Sequence, residues 1–330
     1  MMRTLAAAAE RLPLHTPFRI SRGVKDAADV VVATIEGGGH TGRGEGVPYP
    51  RYGETVAASL AAIETVRPAI EAGAGRHDLL SLLPPGAARN AVDCALWDWE
   101  ARVAGTTVAA LAGRTMPVAP IVSALTIGLD TPDAMAAAAA ALAHAPLLKV
   151  KVDRSDPLAQ VAAVRRAAPA ARLIVDPNES WTIAEVEALQ RPLADLAVSL
   201  LEQPLPAGDD AALAGLAPLV PICADESVHT AADLPALAGR YGLVNVKLDK
   251  AGGLTAALAL ADAARAAGFG IMVGCMICSS LSIAPALLIA ADAAFADLDG
   301  PLWLADDRPG GVRDASGRLV PPDAGFWGGA

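Results

Sequence analysis

From about Val118 to Asp299 the chain repeats one phrase: a short β-branched or leucine-rich run, then an alanine-rich helical run. The short runs are "PIVSAL", "LLKVKV", "ARLIVD", "AVSLLE", "VPICAD", "GLVNVK", "FGIMVG" and "AAFADLD". Apolar runs of this length, flanked by helical text, read as buried strands. Eight of them, at roughly 25 residues per unit, are what a parallel β/α barrel requires. A doubly wound open sheet shares the alternation but usually has fewer strands and an early phosphate-binding glycine loop. The helices carry their own punctuation: Thr131-Pro132 as N-cap and first-turn proline, and Thr182 with Glu185 as a capping box. Thr255 opens "AALALADAARAA" and Gly268 is placed to close it.

The first third has no such period. Residues 29 to 48, "DVVVATIEGGGHTGRGEGVP", read as two strands joined by a glycine-rich turn, and "ARNAVDCALWDWEARVAG", from about Ala88 to Gly105, reads as a helix. The tail after Leu304, rich in proline and glycine, has no place in a barrel and is expected to pack back on the N-terminal part.

Hydrophobic residues make up 53% of the chain and charged ones 19%, which marks a globular protein. A formal net charge of −10 argues against a protein that grips phosphate backbones. Glu10 and Arg11 interrupt any signal-peptide core, and Pro285 and Asp292 break the most apolar late stretch. Four cysteines, at 94, 223, 275 and 278, make no disulfide framework for this length. The expectation is a soluble, cytoplasmic protein with neither a nucleic-acid nor a membrane partner.

In a β/α barrel the chemistry lies at the C-terminal ends of the strands. Those ends carry Lys149 and Lys151, then Asp176, Glu202, Asp225, Lys247, and Asp297 with Asp299. Along "LLKVKVD" alternation puts Leu148, Val150 and Val152 on one face and Lys149, Lys151 and Asp153 on the other. Two ammonium groups side by side on a buried strand repel each other. Three carboxylates on consecutive strands can form a hard, all-oxygen site for Mg²⁺. Lys151 and Lys247 flank them, so a closed barrel places these lysines across the mouth from each other. That arrangement suits removal of a proton α to a carboxylate, with the cation stabilising the enediolate. A neighbouring ammonium and burial are expected to lower a lysine's pKa toward a useful value. Each residue alone has a plain structural reading, such as a helix cap for Asp176, but their ordered occurrence on successive strands is hard to obtain by chance.

Three other signals are weak. "GGGHTG", Gly37 to Gly42, matches a dinucleotide fingerprint but lacks a following helix, so it reads as a hairpin turn. "CMIC", Cys275 to Cys278, is a lone CxxC, read as packing at a strand end, with redox sensitivity as its alternative. Of the five histidines only His229, just past Asp225, draws interest.

The stretches "PFRISRG", "YPRYGE", "AARNAVDCALWD", "LLKVKVD", "IVDPNESW", "LEQPLP", "ICADES", "VNVKLDKAGGLT", "GCMIC" and "FADLDGP" resemble the enolase superfamily, in its muconate-lactonising-enzyme subgroup, and within it the dipeptide epimerases. The resemblance implies a modified (β/α)7β TIM-type barrel (residues 115–304), an α+β capping domain (1–114) and a C-terminal segment (305–330) that completes it. It implies Lys151 and Lys247 as acid/base pair with Lys149 assisting, Asp176, Glu202 and Asp225 as Mg²⁺ ligands, and Asn178 and Glu226 as supports behind them. Asp297 and Asp299 would bind the substrate's α-ammonium, where two carboxylates make strong charge-assisted bonds. Thr126, Cys275 and Ile277 would complete the substrate contacts. Relatives carry a first-loop arginine for a glutamate side chain. Gly23 stands there in this sequence, so Arg22, or Arg51 from the second loop, is the expected substitute. The implied reaction is epimerisation of the C-terminal residue of a dipeptide such as Ala-Glu, in cell-wall peptide recycling, with room for a homo-oligomer. The alternatives are an o-succinylbenzoate synthase or an N-succinylamino acid racemase, which need no ammonium site, and a silent metal-binding scaffold.

Overall fold

The computed structural model describes residues 2–20 and 23–329. The first third builds an antiparallel sheet, β1 (Arg3–Ile20), β2 (Gly23–Gly37) and β3 (His40–Gly46), in that order. Gly38 and Gly39, at φ of 62° and 78°, make the turn between β2 and β3, so the "GGGHTG" run is a hairpin. Four helices follow: α1 (Val56–Glu71), α2 (Arg76–Leu82), α3 (Ala87–Val103) and α4 (Val108–Ala112). Alternate residues of β3 are glycine because α3 lies directly on that face. A Cβ on Gly42, Gly44 or Gly46 would stand 2.3, 2.2 or 2.1 Å from the α3 backbone. The helix is buried on nearly all sides, since its far face meets the barrel.

The next short strand, β4 (Ile121–Val122), is not in the barrel, whose first strand is β5 (Leu125–Ile127). The run "PIVSAL" is therefore split. Ser123 Oγ accepts from Leu298 N–H and Ala124 N–H donates to the Ala296 carbonyl, which turns the chain inward between the two strands. Then come α5 (Pro132–Ala141), β6 (Leu147–Lys151), α6 (Pro157–Ala167), β7 (Arg172–Asp176), α7 (Ile183–Asp195), β8 (Val198–Glu202), β9 (Ile222–Ala224), α8 (Leu234–Leu237) and β10 (Leu243–Val246). The barrel ends with α9 (Leu248–Ala251), α10 (Leu254–Ala266), β11 (Gly270–Gly274), α11 (Ser280–Ala290) and β12 (Phe295–Asp297). Strands β5 to β12 form one sheet in chain order, each neighbour parallel to the next. The Ala124–Ala296 hydrogen bond, 2.8 Å long, joins its two edges, so the sheet is a closed (β/α)7β barrel.

Between β8 and β9 a 3-10 turn, Ala211–Leu213, stands where the repeat leads one to expect a helix. Helix α10 begins at Leu254 with Gly253 as its N-cap, two residues ahead of the expected cap Thr255. The Thr255 hydroxyl is engaged elsewhere, donating to Asp93 and accepting from Trp97 Nε1, both on α3. The tail contributes β13 (Arg313–Asp314) and β14 (Arg318–Val320), with β14 pairing antiparallel to β4. Beyond them, Trp327 Nε1 donates to the Arg43 carbonyl of β3 and Gly328 N–H to Asp98 on α3.

Inside the barrel Leu147, Ile174, Leu200, Cys223, Met272 and Phe295 form a small apolar floor with Ala124. Leu148, Val150, Leu173 and Val175 point outward into the larger core beneath the helices. Strand alternation therefore stacks Lys149 and Lys151 above Leu147, in the barrel interior. Among the described residues no helix is long and apolar enough to cross a membrane.

Candidate active site

The polar strand ends converge at the barrel mouth. Lys149 and Lys151 come from β6, Asp176 and Glu202 end β7 and β8, and Asp225 and Lys247 stand one residue past β9 and β10. Asp297 ends β12, and Asp299 opens the 3-10 turn Gly300–Trp303. All eight are at least nine-tenths buried. They surround the base of a cavity of about 470 Å³ whose other walls include Phe18, Lys25, Tyr52, Ile277 and Trp303. Lys149, Lys151, Asp225, Lys247, Asp297 and Asp299 reach that cavity, while Asp176 and Glu202 lie behind it, fully buried. Lys151 and Lys247 stand on opposite sides, since β6 and β10 are four places apart in a ring of eight.

In this structure every lysine of the site faces a carboxylate. Lys149 Nζ lies 3.2 Å from Asp176 Oδ2, 2.7 Å from Glu202 Oε2 and 2.7 Å from Asp297 Oδ2. Lys151 Nζ is 2.6 Å from Asp176 Oδ2, and Lys247 Nζ is 2.6 Å from Asp225 Oδ2. At Lys149 and Lys247 these contacts produce the opposite of a lowered pKa. Burial does oppose the charge on Lys149, but Asp297, Glu202 and Asp176 outweigh it and hold its pKa well above the ordinary value. Burial likewise works against Lys247, and the Asp225 carboxylate outweighs it. Opposite charges at ion-pair distance beat a like charge farther off.

The carboxylates split in the same field. Burial pushes Asp176 up, but Lys151 and Lys149 prevail and hold it at about 2. Asp225 is held well below the carboxylate range, against burial, by Lys247 and Lys250. Glu202 goes the other way, to about 8, because burial is reinforced by the charges of Asp176 and Asp225. Its Oε2 is close to Lys149 Nζ yet not aligned for a hydrogen bond.

Glu202 is thus a buried carboxylate short of positive charge, which bears on the metal. Among the described residues no three acidic, histidine or cysteine side chains converge as a finished metal shell, and ammonium groups stand between the carboxylates. Still, Asp176, Glu202 and Asp225 occupy adjacent strands, are wholly buried and offer only oxygen. Glu202 Oε2 is buried with no hydrogen-bond partner among the described residues. That all-oxygen donor set and the unpartnered Glu202 oxygen fit Mg²⁺.

The remaining expected residues fall into place unevenly. Asn178, at φ 48°, donates its backbone N–H to Asp176 Oδ1 at 2.8 Å and its Nδ2 to Asp176 Oδ2 at 3.1 Å. Glu226, Thr126, Cys275 and Ile277 line the cavity. Thr126 N–H donates to Asp299 Oδ2 at 2.8 Å and Trp303 Nε1 to the same oxygen at 3.3 Å. Even so, burial and the Asp297 charge raise Asp299 to about 6. Asp297 Oδ1 is buried with no hydrogen-bond partner among the described residues. Arg51 also lines the cavity, with its guanidinium in a two-pronged ion pair with Glu179 at 2.8 and 2.9 Å. Arg22 lies outside the described residues. His229 is not part of the cavity wall and packs edge-on against Tyr52.

The segments expected to shape the pocket, around Phe18 to Lys25 and Pro48 to Tyr52, do line the cavity, with the Lys25 ammonium 4.7 Å from the Tyr49 ring centre. Two contributors escaped the sequence reading. Trp303 holds Asp299 and meets Phe18 of β1 edge-on at 4.7 Å. Lys250, the second lysine of "VKLDK", donates to Asp225 Oδ1 at 2.6 Å and to the Asn245 carbonyl at 3.1 Å. Its spacing of three from Lys247 was the available signal, because that spacing returns to the same side of a helical turn.

Residues 133–326 match the family model described as "Enolase C-terminal domain-like", and residues 2–113 match "Mandelate racemase / muconate lactonizing enzyme, N-terminal domain". The chain is 51% identical to an L-Ala-D/L-Glu epimerase of Escherichia coli, over 96% of this chain and 99% of that one. It is 43% identical to an N-acetyl-D-glutamate racemase of a Pseudoalteromonas species, over 91% of this chain and 96% of that one. Among solved structures, an enolase family member from Agrobacterium tumefaciens with homology to dipeptide epimerases, holding sodium and L-Ala-L-Glu, superposes with a TM-score of 0.96 at 50% identity, covering 99% of this chain and 100% of that one. A dipeptide epimerase from Enterococcus faecalis, complexed with Mg and L-Leu-L-Tyr, gives 0.89 at 29% identity, covering 98% of each chain.

Proposed function

The chain belongs to the mandelate racemase/muconate lactonizing enzyme family of the enolase superfamily, and on that footing we propose that it epimerises the C-terminal residue of a dipeptide, with L-Ala-L-Glu and L-Ala-D-Glu as the interconverted pair. The observation that carries the dipeptide reading is the Asp297–Asp299 pair. Both are buried against the cavity, and Asp297 Oδ1 awaits a donor. A free α-ammonium supplies that donor and its charge.

Asp176, Glu202 and Asp225 would hold Mg²⁺, which would supply the positive charge that makes the proton next to the substrate's carboxylate removable. The rest is done by the chain itself. Lys151 and Lys247 approach the reacting carbon from opposite faces, so one takes the α-proton while the other returns a proton to the far side. Proton removal and return from opposite faces inverts the carbon. Lys149 sits among three carboxylates and holds Lys151's neighbourhood in register. Thr126 N–H and Trp303 Nε1 aim Asp299 at the ammonium. Lys25 and Arg51 bring cationic groups to the cavity wall that suit a glutamate side chain. The cavity's capping segments limit the access of water to the reacting carbon. Metabolism of cell-wall peptides in the cytoplasm is the setting such a reaction implies.

The racemase relative favours a second reading, an N-acylated glutamate as substrate, which has no ammonium for the aspartates. Asp299→Asn decides between them. With a dipeptide as the true substrate, kcat/KM for L-Ala-L-Glu falls by about 10- to 100-fold, the worth of one charged hydrogen bond. N-acetylglutamate stays a poor substrate for both proteins. Undiminished dipeptide turnover in the variant, or preferred turnover of N-acetylglutamate, would transfer the assignment to the acylated substrate.

A further inference from the structure

The loop after β11 carries two thiols to which the reaction above assigns no chemical step. Cys275 and Cys278 are free; Cys275 is half-buried in the cavity wall and Cys278 is wholly buried beneath it. Their sulfurs converge. A Cβ built on Gly300 would lie 3.1 Å from each Sγ, and 2.5 Å from the Met276 carbonyl, so only glycine fits over this pair. The two side chains, on residues three apart in a bend, meet at one point and interact directly with each other. Gly300 directly follows Asp299, so the pair lies under the ammonium end of the cavity.

We propose that Cys275 and Cys278 form a modification site, a dithiol that a peroxide entering the cavity oxidises to an intramolecular disulfide. The Cys275 thiolate attacks a peroxide oxygen, the O–O bond breaks, and hydrogen peroxide leaves one oxygen on sulfur as a sulfenic acid while the other departs as water. The Cys278 sulfur then attacks the Cys275 sulfur. The S–O bond breaks, the S–S bond forms and a second water leaves. The two thiols give up two protons and two electrons, and one peroxide becomes two waters. Exposure assigns the order: Cys275 meets the oxidant, while burial and the adjacent Cys275 raise the Cys278 thiol and keep it as the resolving partner. Cys94 and Cys223, buried in α3 and in the barrel floor, reach no cavity. Bond formation draws the Cys275 side chain off the cavity wall toward Gly300, altering the surface on which substrate rests.

The test uses the full chain with hydrogen peroxide, followed by alkylation of free thiols and mass mapping of the tryptic peptide that carries both cysteines. The expected product is that peptide short by two hydrogens and refractory to alkylation until dithiothreitol is added. In Cys278→Ala, untreated turnover is retained and the same exposure carries Cys275 on to sulfinic acid, which dithiothreitol does not reverse. Both thiols remaining alkylatable, or Cys275 over-oxidised in the unsubstituted chain with no disulfide formed, overturns the proposal. The mapping reads the chemistry without reference to turnover, so it stands apart from the substrate assignment.

Discussion

Lys151 and Lys247 have equivalent surroundings in outline: each is buried, each lines the cavity, and each has one carboxylate oxygen at 2.6 Å. On the proposed function, what separates them is the side of the substrate each would face. Lys151→Ala should therefore abolish epimerisation, a loss of about 10²- to 10⁴-fold for a missing acid/base group. Exchange of the α-proton with solvent deuterium should persist through Lys247 on one stereoisomer of the substrate. Proton NMR of each stereoisomer with the variant reads this directly, and exchange surviving equally on both would rule out opposite-face transfer. The lysines and carboxylates were legible in the sequence because each ends a run too apolar to be anything but buried. Trp303 was not, because its place depends on how the turn after β12 lies against Phe18 of β1, and no local pattern encodes that.

At the scale of elements, the strands of a parallel barrel are buried on both faces and so read as continuous apolar runs. That is why β6 to β12 fall where the short runs predict. The first run misled because the chain changes sheet partway along it, at Ser123 and Ala124, through contacts with residues far away in sequence. The start of α10 misled for a similar reason: Thr255 has the chemistry of an N-cap but spends it on Asp93 and Trp97 of α3. Where no such competitor exists the local signal holds. Thr182 caps α7 by accepting from Glu185 N–H, while Glu185 accepts from the Thr182 N–H at 2.6 Å. Thr182→Ala should cost about 1 kcal/mol of stability, as cap removal commonly does. Urea unfolding measures it, and an unchanged midpoint would mean that tertiary packing alone sets the start of this helix.

For the whole molecule, the seam between capping segment and barrel is built on buried acids. Asp249 of α9 accepts from Val47 N–H at 2.8 Å and from Asn90 Nδ2 at 2.7 Å, and Asp93 of α3 accepts from Thr255. Burial pushes Asp249 up to about 7, against those hydrogen bonds. With its pKa raised above the unfolded value, the folded protein binds the extra proton, so this contribution to stability is present at low pH and fades as pH rises from about 4 through about 7. Asp249→Asn keeps an acceptor oxygen and mimics the protonated acid. The variant should lose less stability than the parent between about pH 4 and about pH 7, as measured by urea midpoints. An identical decline in both would show that the seam does not titrate there. The seam matters because it holds Phe18, Lys25 and Tyr52 over the strand ends, and the account as a whole rests on what happens beneath them. The most direct measurement is proton NMR of the purified protein with Mg²⁺ in D₂O, supplied with L-Ala-L-Glu. The account predicts loss of the glutamate α-proton signal, with peaks of the L-Ala-D-Glu diastereomer growing in. Retention of that proton by protein shown to have bound Mg²⁺ and the dipeptide would contradict it.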